Sequence, residues 1–198
     1  MARPKGPRFK QSRRFGVNIF GHPKELKRGT DTQRRTTEYG LQLLEKQKLK
    51  AYYGLTEKQM LKYMIEAVKQ SSKGEGIIGD LAVRRCELRL DNLVYRAGFA
   101  SSLRQARQFV VHGHITLNGH KTDIPSHIVK AGDKIGLTPR GEKVEFIKEN
   151  MEANAVNVPY LTRNDDERIA TLERLPEREE IPIEVTDSLV VEFYSRSV

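Results

Sequence analysis

The sequence predicts an α+β chain: a basic N-terminal arm and a helical domain, an inserted unit of two helices and a small sheet, and a C-terminal segment returning to the first domain. Three observations predict it. Apolar residues recur at helical spacing over much of residues 38–87. Asn118-Gly119, the strongest short hairpin signal, follows the alternating run His114-Ile115-Thr116-Leu117. Residues 1–37, by contrast, have no convincing period. The expected boundaries are a basic arm at 1–37, a helical domain at 38–87, a two-helix and hairpin module at 88–150, and an acidic segment at 151–198.

In the arm, Arg3, Lys5, Arg8, Lys10, Arg13 and Arg14 alternate with Pro4, Gly6, Pro7 and Gly16, which are expected to break any regular element. Phe9, Phe15 and Phe20 interleave with these charges, and Lys27, Arg28, Arg34 and Arg35 follow. Such a segment can track phosphates and stack on bases, ordering only when bound; the plainer alternative is a solvated tail. A helix is expected over Glu38–Tyr53, with Leu41, Leu44 and Ala51 on one face and Gly54 as its stop. Thr56 and Gln59 form a capping box for a helix over about 57–71, whose apolar stripe is Met60, Leu61, Met64, Ile65 and Val68. After a loop at Lys73-Gly74-Glu75-Gly76, a further helix is expected over about 77–87, carrying Ile77, Ile78 and Leu81.

Leu90, Leu93, Val94 and Ala97 then recur at helical spacing, and Gly98 ends that helix. Ser102 and Gln105 cap the next, which runs to about His112 with Leu103, Ala106 and Val110 inward. A strand at 114–117, its partner at 120–123 and another at Lys134–Leu137 make the small sheet. Extended pieces are expected near 158–162 and 169–174. The terminal run Leu189-Val190-Val191-Glu192-Phe193-Tyr194 fits strand or short helix, and helix is the expectation.

The net charge of +9 is unevenly placed. Residues 1–50 hold 14 Lys/Arg against 4 Asp/Glu, whereas residues 151–198 hold 5 against 11. A basic front with an acidic end fits a polyanion binder whose tail faces another partner. No apolar run approaches the ~20 residues of a membrane-spanning helix, and no secretory segment is expected at the start, so nucleic acid is favoured over a membrane. Cys86 is the single cysteine. It excludes an intramolecular disulfide, agrees with a cytoplasmic setting, and reads as a small buried residue because no base for a catalytic thiol stands nearby.

Arg104, Arg107, Gln108, His112, His114 and Lys121 are expected on one surface, where two helices meet the hairpin. Guanidinium and ammonium groups neutralise phosphates, and amide and imidazole groups fix register. Spacing alone also allows an ordinary charged helix face.

The run Arg89-Leu90-Asp91-Asn92-Leu93-Val94-Tyr95-Arg96-Ala97-Gly98-Phe99, continued by Ala106–Ile115 and Asn118-Gly119, resembles an RNA-binding module. Bacterial small-subunit ribosomal protein four shares that module with several RNA-modifying enzymes. Outside it, Gly6-Pro7, Ser12-Arg13-Arg14, Glu38–Leu49, Leu175-Pro176-Glu177-Arg178 and Leu189–Ser195 resemble the ribosomal family itself, so the likeness spans nearly the whole chain. The resemblance implies a primary binder of the five-prime domain of small-subunit ribosomal RNA that starts assembly and contributes to decoding accuracy. It further implies contact with small-subunit ribosomal protein five, a place near messenger RNA where it enters the subunit, and in some members repression of the protein's own messenger. Carried onto this chain, it implies RNA contact at Arg3, Lys5, Arg13, Arg14, Tyr39, Gln47, Lys48, Arg104, Arg107, Gln108, His112 and His114.

Two departures are visible. Gly29-Thr30-Asp31-Thr32-Gln33-Arg34-Arg35 stands where many relatives have Gly-Gln-His-Gly. Other relatives hold zinc through N-terminal cysteines, yet residues 1–37 contain only His22 and no Cys. His112 and His114 have no companions at zinc spacing. Neither a metal nor a cofactor is expected.

The same module decorates pseudouridine synthases and tyrosyl-tRNA synthetases, and Arg89-Leu90-Asp91 resembles a synthase active site. Asp91 is read instead as a helix N-terminal residue that favours the dipole and fixes local hydrogen bonds. A synthase needs a large catalytic sheet domain, and a synthetase needs nucleotide-binding signatures; neither is expected here. A free-standing RNA chaperone is disfavoured because minimal proteins of the module lack the arm and the matching C-terminal end.

Overall fold

The computed structural model describes residues 7–22, 24–30, 37–154 and 158–195. It comprises two compact units, one of residues up to Val83 together with Pro182 onward, the other of Arg84–Ile181. The described helices are α1 (Arg8–Phe15), α2 (Glu38–Tyr53), α3 (Glu57–Ser71), α4 (Ile78–Glu87), α5 (Leu90–Arg96), α6 (Leu103–Val111), α7 (Glu145–Ala153) and α8 (Asp187–Tyr194). The strands are β1 (Ile115–Leu117), β2 (His120–Lys121), β3 (Lys134–Leu137), β4 (Leu161–Asn164) and β5 (Ile169–Leu172). Mixed helices and antiparallel sheet make the fold α+β.

The first unit departs from expectation at its start. Where no regular element was predicted, α1 forms, because Pro7 occupies its N-cap and Gly16, at φ 69°, its C-cap. The breakers bracket a helix instead of preventing one. Phe15 and Ile19 are buried, and the Ser12 hydroxyl and the Phe20 amide donate to the buried Glu25 carboxylate. This stretch is therefore packed and not a solvated tail. α2 and α3 have the expected bounds, and the capping box at Thr56 forms: its hydroxyl accepts from Gln59 N at 3.3 Å while Gln59 Oε1 accepts from Thr56 N at 3.0 Å.

The buried face of α2 is not the expected one. Leu41 is exposed, whereas Gln42, Glu45, Lys46, Leu49 and Tyr53 are buried. The cause is α8, which covers α2 through polar contacts that helical periodicity of apolar residues does not reveal. Gln42 Nε2 donates to Glu192 at 3.1 Å, the Thr186 amide donates to Glu45 at 2.8 Å, and the Lys46 ammonium lies 4.2 Å from the Phe193 ring centre. On α3 the buried residues are Met60, Tyr63, Met64 and Ala67, while Leu61, Ile65 and Val68 are half-buried.

The second unit contains the whole described sheet, antiparallel throughout in the order β2-β1-β3-β5-β4. Asn118 and Gly119 both have positive φ, 51° and 80°, the geometry that twists a two-residue hairpin correctly. The extended pieces after residue 157 become β4 and β5, and β5 pairs with β3 with Lys134 opposite Thr171. These two strands therefore complete the sheet, and residues up to Ile181 stay with its unit. Only the stretch from Pro182 joins the helical unit, so the returning segment is shorter than the expected 151–198. Leu90, Leu93, Phe99, Ile115, Ile135 and Tyr160 lie in this unit's core, each fully buried. A side chain of that size contributes roughly 1.5–3 kcal/mol on burial.

Candidate nucleic-acid interface

Helix α5 opens with a buried ionic lock. Asp91 is fully buried in its first turn, and Arg89, 2% exposed, donates to it from Nε and Nη2 at 3.0 and 2.8 Å. Arg107, one turn from the end of α6, donates its Nε to the same carboxylate at 2.7 Å. Two guanidiniums on one carboxylate tie α6 to the start of α5. Cys86 lies close to the lock, wholly buried, and burial pushes its thiol up to about 12, so it is inert packing.

The lock fixes the outer face of α6. Arg104, Gln108 and His112 are all exposed and stand four residues apart, which puts them in one row along the helix and its C-cap. Ala106, Phe109 and Val110 form the opposite, buried face, and Leu103 is only half-buried. At the N-cap the Ser102 hydroxyl accepts from Gln105 N at 3.3 Å, but Gln105 Oε1 accepts from Ser101 N at 2.7 Å. The capping box is thus half formed, its return bond moved one residue upstream.

Beyond α6, Gly113 takes φ 71° and the aliphatic part of Lys121 from β2 lies against it; a Cβ there would come within 2.4 Å of Lys121 Cε. Lys121 itself is exposed. His114 does not join the exposed row, because it is only 8% exposed and its ring stands edge-on to Phe109, 6.1 Å between centres. Burial first, then the charges of Arg140, His112 and Lys121, hold its imidazole below the ordinary 6.5. Its Nδ1 has no hydrogen-bond partner among the described residues. His114 is therefore part of the platform beneath the row and is not an outward contact.

Sequence reasoning passed over Arg140. This exposed side chain follows β3 in the turn Thr138-Pro139-Arg140-Gly141. Thr138 N donates to His114 O at 2.9 Å and Thr138 Oγ1 donates to Gly113 O at 3.1 Å, which fastens the turn to the segment leading into β1. Its signal was a Pro-Arg-Gly turn directly after a strand, without periodicity to mark it.

The remaining expected residues lie in the helical unit. Arg14 is exposed and Arg13 half-buried on α1. Tyr39, at the start of α2, is 50% exposed and tilts against Phe193 at 5.7 Å between ring centres. Gln47 and Lys48 are half-buried, and the Lys48 ammonium lies 2.6 Å from the Glu45 carboxylate. Arg3, Lys5, Arg34 and Arg35, together with most of the Gly29–Arg35 loop, lie outside the described residues. Among the described residues no group of three or more His, Cys, Asp or Glu could hold a metal ion, and no helix is long and apolar enough to cross a membrane.

Two family patterns match the chain in succession. The Ribosomal protein S4/S9 N-terminal domain matches residues 3–87, and the S4 domain matches residues 88–135. Among curated proteins, the small ribosomal subunit protein uS4 of Finegoldia magna is 55% identical over 202 residues, covering 99% of this chain and 100% of that protein. The small ribosomal subunit protein uS4B of Clostridium acetobutylicum is 49% identical, with both chains covered in full at 100%. The uS4 of Halalkalibacterium halodurans is 44% identical over 99% of this chain and 100% of that protein. With end-to-end likeness at that level, and with the lock and its row of polar side chains inside the S4 domain, this chain belongs to the small ribosomal subunit protein uS4 family.

Proposed function

We propose that this chain is a structural constituent of the small ribosomal subunit, a primary binder of small-subunit ribosomal RNA that nucleates assembly of the five-prime domain and contributes to translational accuracy. The observation that carries the reading is the exposed row Arg104, Gln108 and His112 on a helix held by the Asp91 lock. Side chains carried on a helix already held in place leave less backbone freedom to lose when a phosphate arrives, so more of the Coulombic attraction survives as affinity. RNA helices present a backbone shape and a shallow minor groove, which suit such a rigid surface.

Arg104, Gln108, His112 and Lys121 act as outward contacts; Arg107 contributes with its guanidinium already committed to Asp91 on one side, and His114 supports from below. Arg13, Arg14, Tyr39, Gln47 and Lys48 form the contribution of the helical unit, and Arg3, Lys5, Arg34 and Arg35 extend it. Small-subunit ribosomal protein five and messenger RNA entering the subunit are the proposed neighbours, and the chain's own messenger a second RNA target. The setting is the cytoplasmic ribosome.

The chain is proposed to work without turnover. Asp91, which the synthase comparison makes the candidate nucleophile, is fully buried and held by two guanidiniums. A carboxylate so enclosed has no access to a base; uridine isomerisation by the purified chain would contradict this. Sedimentation of ribosomes tests the reading as a whole. Stoichiometric presence of the chain in the small subunit is expected, and its exclusive presence at the top of the gradient would overturn the proposal.

A further inference from the structure

We infer that Arg140, outside the span of the S4 domain match, joins Lys121 and His112 around the buried His114 to form one patch that grips the phosphodiester backbone of the bound RNA. The inference rests on the RNA-binding reading above and adds a residue and a loop to its contact surface.

The fold brings the three side chains to His114 from different elements. His112 is the C-cap of α6, with its ring centre 6.1 Å from that of His114. Lys121 comes from β2, which pairs with one edge of β1, and its aliphatic chain rests on Gly113. Arg140 follows β3, which pairs with the other edge of β1. The turn carrying it is fixed by the two Thr138 bonds to Gly113 and His114, and by the Gly141 amide donating to Thr138 Oγ1 at 3.1 Å. Gly141 packs so closely that a Cβ would come within 2.4 Å of His114 O. Arg140 therefore stands on a turn with little freedom to move away.

The electrostatics of the patch are one-sided. None of His112, Lys121 or Arg140 is engaged by a carboxylate among the described residues, in contrast to Arg107, Lys48 and Arg163. The charged groups acting on the His114 ring are Arg140, His112 and Lys121, from three separate elements, and each disfavours its proton. A cluster with no carboxylate partner among the described residues, around a buried imidazole whose Nδ1 likewise has none among them, is a place where an anion relieves repulsion. The phosphate-bearing strand is the anion that this chain's proposed role supplies.

The test is filter binding of the full chain to small-subunit ribosomal RNA across a salt series, comparing wild type with R140A, K121A and K148A. Lys148 is an exposed cation on α7 and serves as the control for net charge. R140A and K121A are each expected to weaken binding roughly tenfold and to lower the salt slope by about one, with K148A unchanged. R140K, which keeps the charge, restores most of the affinity and shows that the loss is not misfolding. If wild type prefers the ribosomal RNA but R140A matches it in affinity and slope, the patch is refuted and the RNA-binding reading stands. An equal loss in K148A refutes the patch as well. If wild type shows no preference, the reading fails and the patch fails with it.

Discussion

Asp91 joins two helices through one buried carboxylate. A lone acid after Arg-Leu at the start of a helix was readable as a dipole-favouring N-terminal residue, and it does stand in the first turn of α5. Its second partner, Arg107, lies sixteen positions downstream, and nothing in local spacing pairs them. Replacing Asp91 with Ala removes the carboxylate to which the buried Arg89, 2% exposed, and Arg107 both donate. The expected loss is about 3–5 kcal/mol in denaturant unfolding, the range for breaking a buried pair on one side. A loss below about 1 kcal/mol would mean that the lock does not hold the helices together. His114 makes a second prediction at this scale. Its unfolded form takes a proton near pH 6.5, while the folded form resists because of burial and the neighbouring cations. Stability is full above that pH and declines as the pH falls below it. His114→Gln removes this contribution, so unfolding experiments between about pH 8 and 5 should show a shallower decline in the variant than in wild type. Parallel declines would assign the effect to other groups.

Among elements, those with strong local signals were legible and those defined by distant partners were not. The Thr56 capping box, the Asn118-Gly119 turn and the bounds of α2 and α3 follow from chemistry within a few residues. The α1 helix escaped because Pro7 and Gly16 are punctuation whose meaning depends on position: outside the helix they cap it. The buried face of α2 escaped because its cover is α8, about 140 residues away, and the contacts are polar. β4 and β5 escaped as sheet members because β5 finds its neighbour β3 across a separate helix, α7. Gly98 gives the prediction that belongs here. It follows α5 at φ 79°, and a Cβ would meet Asn154 O at 2.7 Å and Arg163 Nη1 at 2.5 Å. Arg163 at that point donates to the carbonyls of Ala97, Asn154 and Met151, joining the ends of α5 and α7. Gly98→Ala forces a left-handed alanine into that contact, which costs at least about 1–2 kcal/mol from the backbone alone. Thermal unfolding reads it directly, and an unchanged midpoint would contradict the close approach.

For the whole molecule, uneven charge is the most informative property of the sequence. The front is basic and the end acidic, and the fold divides the acidic end between the sheet and the returning α8. In the second unit α6, β2 and the turn after β3 carry the exposed Arg104, Lys121 and Arg140, with α6 held by the Asp91 lock and the turn by the Thr138 bonds. Of the expected contact residues there, Arg104, Gln108, His112 and Lys121 are exposed, whereas His114 is buried with its ring edge-on to Phe109. The alternation that marks Ile115 and Leu117 as inward would turn His114 outward, so its burial was not legible in the strand pattern. The most direct test is competition binding of the full chain between small-subunit ribosomal RNA and an unrelated RNA of equal length, at several salt concentrations. A preference for the ribosomal transcript that persists as salt weakens both complexes is the predicted result. Equal affinity for the two RNAs at every salt concentration would contradict the account.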